Sequence, residues 1–422
     1  MIEQFYRDLD GLIRIPSVAI DGDEQYPFGK ACADALDYTL SLCESFGFKT
    51  KKCSNMLGWA EIGEGDDIIG ILAHLDVVPE GSGWEYPAFE LTRVEVDGEE
   101  RIYGRGVTDD KGPAMMCIYA MKVLKSCGAP LTKRVRIIFG LTEERGEWRD
   151  MEYYKANEEL PTFGFTPDAA FPVGYAEKGI AVFELKMPLS KSGVEVVSGG
   201  NAHNMVPDLC ECTINGNKLI ATGLSAHGST PTVGTNAIIT LMKEVSTTHP
   251  ECALARFIAQ NFSEKCDGSG FGIDLCDKAS GALTLNLGVI EVRGDDVVMT
   301  VDVRYPVTKS HSAILAMLRA NCKLCGVSVT ACEHKTPVYI DRDGALITTL
   351  TDVFNEVTGL DEKPFSMGGG TYARAMPNIV SFGPAMPGAK ETAHQKNEYT
   401  TVADVDKAVR IYAETLLRLM DI

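Results

Sequence analysis

One apolar stretch decides the fold of this chain: residues 67–78, DIIGILAHLDVV. A short apolar run rich in isoleucine, preceded by the polar residues 63–66, predicts a buried β-strand. Side chains alternate across a strand, so His74 and Asp76 at its end point to the same face. In α/β sheets ligands bind beyond the carboxyl ends of the strands, which makes the pair a candidate site. Taken alone, the pair is explained more simply as two polar residues at the point where the chain leaves the sheet and meets water.

Helical and strand patterns alternate on both sides of this stretch, which predicts an α/β domain with helices on both faces of a sheet. The flanking elements are predicted helices at residues 2–13, 29–46 and 110–126 and a predicted strand at residues 134–141. From about residue 180, short strands and helices predict an α+β domain instead. We therefore expect a first domain made of residues 1–179 and 337–422, divided by an inserted domain of residues 180–336.

The composition limits the partners and the location of the protein. Lys and Arg total 40 against 59 Asp and Glu, a formal charge of −19. This charge opposes binding to phosphate backbones and anionic membranes, so we expect neither nucleic acid nor a membrane as a partner. No apolar run reaches the roughly 18 residues that cross a bilayer, and no secretory signal is visible. Thirteen cysteines, an odd number in a long chain, are expected to be reduced thiols in the cytoplasm.

Two acidic motifs lie where loops meet predicted elements. In residues 104–112, GRGVTDDKG, glycines flank Asp109 and Asp110 where a loop enters a helix. Helix N-capping explains one of these acids, and a carboxylate that bridges two cations is one use for the other. In residues 141–144, LTEE, adjacent side chains point in different directions, so one glutamate can bind a cation while the other reaches its water. A solvated acidic turn is the simpler explanation of this second motif on its own.

Three further candidates lie downstream: Asp168 in residues 166–172, TPDAAFP, His227 in residues 225–228, SAHG, and His394 in residues 392–395, TAHQ. The chain has only seven histidines. Their repeated placement with acids at strand ends and in glycine-bounded loops favours a common site over unrelated surface groups.

Together these motifs resemble the co-catalytic metallopeptidases that include aminoacylase, succinyl-diaminopimelate desuccinylase, carboxypeptidase G and the bacterial dipeptidases. The resemblance is greatest to the PepV-type, or Xaa-His, dipeptidases, and it follows the family order along nearly the whole chain. The matching segments are residues 70–79, 103–112, 142–146, 165–179, 204–208, 223–231, 368–374 and 394–398.

The resemblance implies a zinc-peptidase-like α/β/α catalytic domain with an inserted α+β, ferredoxin-like lid domain, and it implies a site for two divalent cations. Zinc is the expected metal, with manganese or cobalt as alternatives. A cis peptide bond is implied after Asp109. Asp76 would orient His74, and Glu143 would act first as general base and then as general acid. The implied ligands are His74, Asp109 and Asp168 for one cation, and Asp109, Glu144 and His394 for the other.

The same resemblance implies a dipeptide substrate with a free C-terminal carboxylate. His227, in the inserted domain, would donate a hydrogen bond to the developing oxyanion. Asn204 and Arg304 would bind the carboxylate, and backbone N–H groups around Gly369 and Gly370 would form a further anion site. For Arg304 a surface ion pair is the alternative.

The resemblance allows alternatives for the oligomeric state and for the function. The inserted domain is larger than the lid of dimeric relatives, so we favour a monomer that supplies its own His227, with a homodimer as the alternative. The predicted function is a dipeptidase. An N-acyl-amino-acid deacylase of the aminoacylase or desuccinylase type is the alternative within the enzyme class, and a catalytically silent metal-binding relative is the alternative outside it. Intact Glu143 argues against a silent relative, which needs no base beside the metals.

Overall fold

A computed structural model describes residues 2–422, and two compact units divide them. The split unit contains the chain up to Tyr175, Ile340–Phe365 and Thr371–Ile422. The inserted unit contains Ala176–Tyr339 and Ser366–Gly370. Among the helices of residues 2–422, none has both the length and the apolar character needed to cross a bilayer.

The chain before the insertion forms most of the split unit. Its helices are α1 (Ile2–Ile13), α2 (Lys30–Ser45), α3 (Lys111–Ser126) and α4 (Arg149–Asn157). Its strands are β1 (Lys49–Cys53), β2 (Leu57–Ile62), β3 (Ile68–His74), β4 (Thr92–Val96), β5 (Glu99–Tyr103), β6 (Arg134–Gly140), β7 (Phe163–Thr166), β8 (Ala169–Ala170) and β9 (Gly174–Glu177).

The inserted unit contains an antiparallel sheet with helices packed on it. The strands of the inserted unit are β10 (Gly179–Pro188), β11 (Val196–Gly199), β12 (Leu209–Ile214), β13 (Asn217–Thr222), β14 (Cys276–Asp277), β15 (Gly281–Ala282), β16 (Thr284–Arg293), β17 (Asp296–Tyr305), β18 (Ser328–Lys335) and β19 (Val338–Tyr339), and seven of them form the sheet. Its helices are α5 (Leu189–Ser192), α6 (Ala237–Thr248), α7 (Ala253–Asn261) and α8 (His311–Leu324). The strand order of the sheet is β13-β12-β11-β16-β17-β10-β18.

After the insertion the chain returns to the split unit. The last elements of the chain are helices α9 (Ala345–Thr358) and α10 (Val402–Arg418) and strands β20 (Phe365–Met367), β21 (Ile379–Ser381), β22 (Pro384–Ala385) and β23 (Tyr399–Thr401), and all but β20 lie entirely in the split unit. Short 3-10 helices lie at Pro231–Val233, Ser269–Phe271, Tyr372–Ala375 and Leu419–Asp421.

Strand β3, which lies within the apolar residues 67–78, is buried along its whole length in the middle of the split unit's main sheet. It pairs in parallel with β6 on one side and with β7 on the other. Because the three strands run the same way, their carboxyl ends meet at one edge of the sheet. The α/β class with an inserted α+β domain is confirmed, and the predicted strand at residues 67–78 is shorter than expected, since pairing ends at His74.

Candidate metal centre

Three neighbouring strand ends carry four of the predicted site residues. His74 is the last residue of β3, Glu143 and Glu144 follow β6, and Asp168 follows β7. The parallel pairing of β6, β3 and β7 therefore brings residues from distant parts of the sequence to one edge of the sheet. Two further ligands come from loops, since Asp109 lies just before α3 and His394 lies in the segment between β22 and β23.

Asp109 lies between the two histidines. Its Oδ1 is 2.9 Å from His74 Nε2, and its Oδ2 is 2.9 Å from His394 Nε2. His394 Nε2 is also 3.0 Å from Glu144 Oε2, and His74 Nε2 is 3.8 Å from Asp168 Oδ2. One carboxylate thus offers a separate oxygen to each imidazole, which is the arrangement required of a ligand shared by two cations.

The donor atoms fit divalent cations. Potential ligand atoms of His74, Asp109 and Glu144 lie within 4.8 Å of one another, as do those of His74, Glu143 and Asp168. His74 Nε2 is buried and makes no hydrogen bond within residues 2–422, although Asp109 Oδ1 is close to it. A buried ring nitrogen normally has a hydrogen-bond partner. His74 Nε2 and Asp109 Oδ1 lie close together without a hydrogen bond, so they are better explained as two ligands of one cation.

The electrostatics of the cluster are those of a cation site. Burial raises the pKa of Glu143 to about 8 and the pKa of Asp168 well above its usual range, and neighbouring carboxylates add to both shifts. Burial opposes ionisation of Asp109, but His394 and His74 together lower its pKa. Hydrogen bonds with Asp109 and Glu144 raise the pKa of His394 to about 10. Such a group of buried carboxylates retains protons unless cations neutralise it.

Asp76 contacts both the His74 ring and the turn that carries Glu143 and Glu144. Its carboxylate accepts hydrogen bonds from the backbone N–H groups of Glu143, at 3.2 Å, and Glu144, at 3.1 Å. The His74 ring instead places Nδ1 2.9 Å from the backbone oxygen of Asp76, while the carboxylate Oδ1 is 3.4 Å away. The residue therefore orients His74 mainly through its main chain, and its side chain fixes the turn that carries both glutamates.

Helix capping is the role that the sequence suggests for one acid of the Asp109 and Asp110 pair, but the Asp110 side chain makes a different contact. Its Oδ2 accepts a hydrogen bond from the backbone N–H of His74 at 3.0 Å, and its side chain does not cap α3. The two acids thus have different contacts. The Asp109 carboxylate faces the histidine side chains, and the Asp110 carboxylate holds the end of β3. The peptide bond between Asp109 and Asp110 is cis, as the resemblance implies.

Asp150 and Tyr372 support the same turn, and sequence reasoning missed both roles. Asp150 Oδ2 accepts hydrogen bonds from Leu141 N at 2.6 Å, Thr142 N at 3.0 Å and the Tyr372 hydroxyl at 2.5 Å. The Tyr372 ring also meets the His74 ring edge-on, with centroids 6.1 Å apart. Tyr372 lies in a segment that the resemblance covers, but no local pattern pairs it with an acid 222 residues away.

The predicted substrate residues form a second cluster, inside the inserted unit. The backbone oxygen of Asn204 accepts a hydrogen bond from Gly228 N at 2.6 Å. This contact adjoins the antiparallel bridge between Met205 and His227. The segment of Asn204 therefore runs beside the segment that carries His227, although neither belongs to a long strand.

The remaining members of this second cluster adjoin His227 through Ser229. The Ser229 hydroxyl lies 2.7 Å from His227 Nδ1, and Gly368 lies directly against the Ser229 side chain. The backbone oxygen of Gly368 accepts a hydrogen bond from Arg304 Nη1 at 3.2 Å, beside the predicted anion site of Gly369 and Gly370. The inserted unit thus brings together predicted substrate residues from three distant parts of the sequence.

Two contacts of His227 Nδ1 bear on which ring nitrogen carries the proton. The backbone N–H of Ser229 donates to His227 Nδ1 at 3.2 Å. A backbone N–H can only donate, so this contact favours the tautomer of the neutral ring in which Nδ1 is the acceptor and the proton lies on Nε2, with the Ser229 hydroxyl as a second donor to Nδ1. His227 therefore presents Nε2–H as a hydrogen-bond donor. No pattern in the sequence indicates this tautomer.

Arg304 is not a surface ion pair, because its side chain is buried and fixed. Its Nε donates to Asp302 Oδ1 and its Nη2 donates to Asp302 Oδ2, both at 2.7 Å. Asp302 is fully buried, and His203 Nδ1 lies 3.6 Å from its carboxylate. One edge of the guanidinium group is therefore held by Asp302, and this partner residue was absent from the sequence-based predictions.

Comparison with known proteins now decides the family. The family model described as peptidase family M20/M25/M40 matches residues 70–418. The chain belongs to this peptidase family. It is 36% identical to YtjP of Bacillus subtilis, a protein named as a dipeptidase candidate, over 99% of this chain and 97% of the relative.

Two solved structures share the fold of this chain. The aminoacylhistidine dipeptidase of Vibrio alginolyticus has a TM-score of 0.65 at 13% identity, over 99% of this chain and 96% of the other. A dinuclear metal-binding M20 peptidase of Bacillus subtilis has a TM-score of 0.57 at 14% identity, over 99% of both chains. The predicted family and fold class are confirmed, and the protein is a hydrolase of the metallopeptidase type.

Proposed function

We propose that this enzyme is a dipeptidase that uses two divalent cations to hydrolyse unmodified dipeptides. The observation that carries the proposal is the position of Asp109, with one oxygen 2.9 Å from His74 Nε2 and the other 2.9 Å from His394 Nε2. The name of the Bacillus subtilis relative supports a dipeptide as the substrate. The proposed ligands are His74, Asp109 and Asp168 for one cation, and Asp109, Glu144 and His394 for the other. Zinc is the expected metal, with manganese or cobalt as alternatives.

Glu143 is the proposed general base and acid. When bound, the two cations would polarise the scissile carbonyl and lower the pKa of water at the site. Glu143 would take the proton of the attacking water and deliver it to the departing amine. In the metal-free protein burial raises the pKa of Glu143 to about 8, and bound cations would favour the carboxylate form that accepts the proton. Asp76 would keep Glu143 in place by holding its backbone N–H.

The inserted unit is the proposed lid and carries the substrate-binding residues. His227 would donate its Nε2–H to the developing oxyanion. Arg304 and Asn204, with the backbone of Gly369 and Gly370, would bind the free C-terminal carboxylate. The proposed domains are residues 1–179 and 337–422 for catalysis and residues 180–336 for the lid. We further propose a cytoplasmic monomer that uses its own His227, with a homodimer as the alternative.

Metal reconstitution tests the function. Metal-stripped protein is reloaded separately with zinc, manganese and cobalt, and each form is assayed on a panel of dipeptides and on acetyl- and succinyl-amino acids. We expect dipeptide hydrolysis with at least one metal and far slower release of acyl groups. Preference for acyl-amino acids would make the protein a deacylase, and no turnover with any metal would make it a silent relative.

A mixing experiment tests the source of His227. Glu143→Ala and His227→Ala variants are each expected to be inactive, and an equimolar mixture is assayed after co-refolding. If each chain uses its own His227, the mixture stays inactive. Recovered activity would mean that one subunit supplies His227 to the other, and the monomer proposal would be wrong.

A further inference from the structure

The carboxylate of Glu398 is fully buried and accepts hydrogen bonds from one loop. Gly106 N lies 3.0 Å from Oε2, and Thr108 donates through its backbone N–H at 2.8 Å and through its hydroxyl at 2.7 Å. Arg105 Nη1 donates at 2.7 Å and is itself almost fully buried. Glu398 also accepts from Gly104 N through its backbone oxygen at 3.1 Å. Donors from four residues of the segment 104–108 therefore converge on a single residue.

This loop leads directly to the bridging carboxylate, since Asp109 follows Thr108. Glu398 itself lies four positions after His394. The contact therefore joins the segments that supply two proposed ligands of the same cation. Arg105 extends the connection, because its Nη2 lies 3.4 Å from the backbone oxygen of Pro79, which follows shortly after β3.

His394 depends on its segment for its position. Its side chain is 53% exposed, whereas the His74 side chain is 1% exposed and packed in the sheet. The base of the segment is closed by hydrogen bonds in both directions between Thr392 and Tyr399, at 2.9 and 3.2 Å. Glu398 ties this closed loop to the loop of Asp109.

A carboxylate at position 398 suits the hydrogen-bond donors around it. Each of the converging groups is an N–H or an O–H, so a carboxylate satisfies all of them and Arg105 balances its charge. A glutamine of the same shape would turn an amide N–H₂ toward at least one of these donors. The loops would then separate, and the distance between Asp109 and His394 would change.

We propose that Glu398 is a positioning residue that sets the distance between Asp109 and His394, and thereby the affinity for the cation bound by Asp109, Glu144 and His394. The proposal rests on the proposed function only through the assignment of these ligands. Groups that orient metal ligands typically change metal affinity about 10–100-fold when they are removed.

Cation titration of the metal-free, full-length protein tests this role. Co²⁺ binding is measured by competition with a chromophoric chelator for the wild type and Glu398→Gln. We expect the cation held by Asp109, Glu144 and His394 to bind about 10–100-fold more weakly to the variant, with an altered Co²⁺ absorption spectrum, while the other cation, which shares only Asp109, weakens less.

Glu61→Gln is the matched control. Glu61 is buried in the same unit and pairs with Arg136, whose Nε donates to it at 2.7 Å, away from the proposed ligands. The Glu61→Gln substitution should lower the resistance of the protein to urea without changing its affinity for Co²⁺. Unchanged affinity in folded Glu398→Gln, or equal weakening of both cations in both variants, would overturn the proposal.

Thr108→Val provides a second variant in case Glu398→Gln does not fold. It removes one hydroxyl donor and should weaken the same cation in the same direction, by less than Glu398→Gln. Unchanged affinity in Thr108→Val would then count against the role of Glu398. Because the measured quantity is affinity, wild-type protein that binds two cations without hydrolysing dipeptides would refute the proposed function and leave this proposal standing.

Discussion

Replacement of Tyr372 by phenylalanine removes a single hydroxyl group behind the proposed catalytic turn. That hydroxyl donates to Asp150 Oδ2 at 2.5 Å and lies 3.4 Å from Thr142 N. The ring contacts with His74 and Trp148 do not need the hydroxyl, so phenylalanine keeps them. The variant therefore tests how firmly Asp150 must be held to keep the start of the turn in place.

The expected loss follows from the type of hydrogen bond. A hydrogen bond to a buried charged group contributes about 1.5–3 kcal/mol, so we expect Tyr372→Phe to lower the free energy of unfolding by about 2 kcal/mol. Tyr412→Phe is the matched control. Both tyrosines are fully buried in the split unit, and the Tyr412 hydroxyl donates to a neutral acceptor, Phe382 O, at 3.2 Å. Its removal should cost about 1 kcal/mol.

Urea unfolding and steady-state kinetics provide the two measurements. We expect Tyr372→Phe to reduce kcat about tenfold, which corresponds to about 1.4 kcal/mol, because Glu143 follows the turn that Asp150 anchors. Tyr412→Phe should change kcat less than about twofold. Equal losses of stability in the two variants, or an unchanged kcat in Tyr372→Phe, would refute the reasoning.

Four further predictions address the proposed site. Glu143→Gln should retain both cations but lose about 10²–10⁴ in turnover, and metal analysis showing lost cations would instead make Glu143 a ligand. Burial raises the pKa of Glu143 from 4.5 to about 8, so between these pH values the folded metal-free chain keeps a proton that the unfolded chain releases. Urea unfolding of the metal-free proteins should therefore show that the wild type loses stability relative to Glu143→Gln as the pH rises from 4.5 to about 8. A rise in relative stability over the same range would contradict the shift. Arg304→Lys should raise KM about 10–100-fold for dipeptides but not for their C-terminal amides, because lysine lacks the guanidinium fork that Asp302 orients. Long-range proton–nitrogen NMR of histidine-labelled protein should find the neutral His227 ring protonated on Nε2, and a proton on Nδ1 would exclude the donor role inferred from the Ser229 contact.

The strand-end residues could be predicted because local sequence encodes them. The apolar runs of β3 and β6 carry or precede the polar residues His74 and Glu143, so the pattern that predicts a buried strand also places these residues near its end, although the first strand ends four residues earlier than predicted. The alternation of elements was likewise sufficient for the α/β class. In these cases the side chain and the element that positions it are neighbours in sequence.

Elements without a local signal were missed. Strand β1 has the sequence KTKKC, and four of its five residues are not buried, so no apolar alternation marks it. Helix α4 is short and polar, yet it supplies the buried Asp150. A long-range polar contact such as Asp150 to Tyr372 depends on the folded sheet, and the spacing of residues within one segment cannot reveal it.

The interruption of the split unit has a consequence for how the protein is made. Residues 176–339 are contiguous, so they can emerge from the ribosome and fold before the rest of the split unit has been synthesised. At that stage the nascent chain already holds four of the proposed ligands, but His394 and the Glu398 that positions it have not yet been added. The full proposed ligand set exists only after translation has passed His394, so complete metal loading has to wait until the inserted unit has been made.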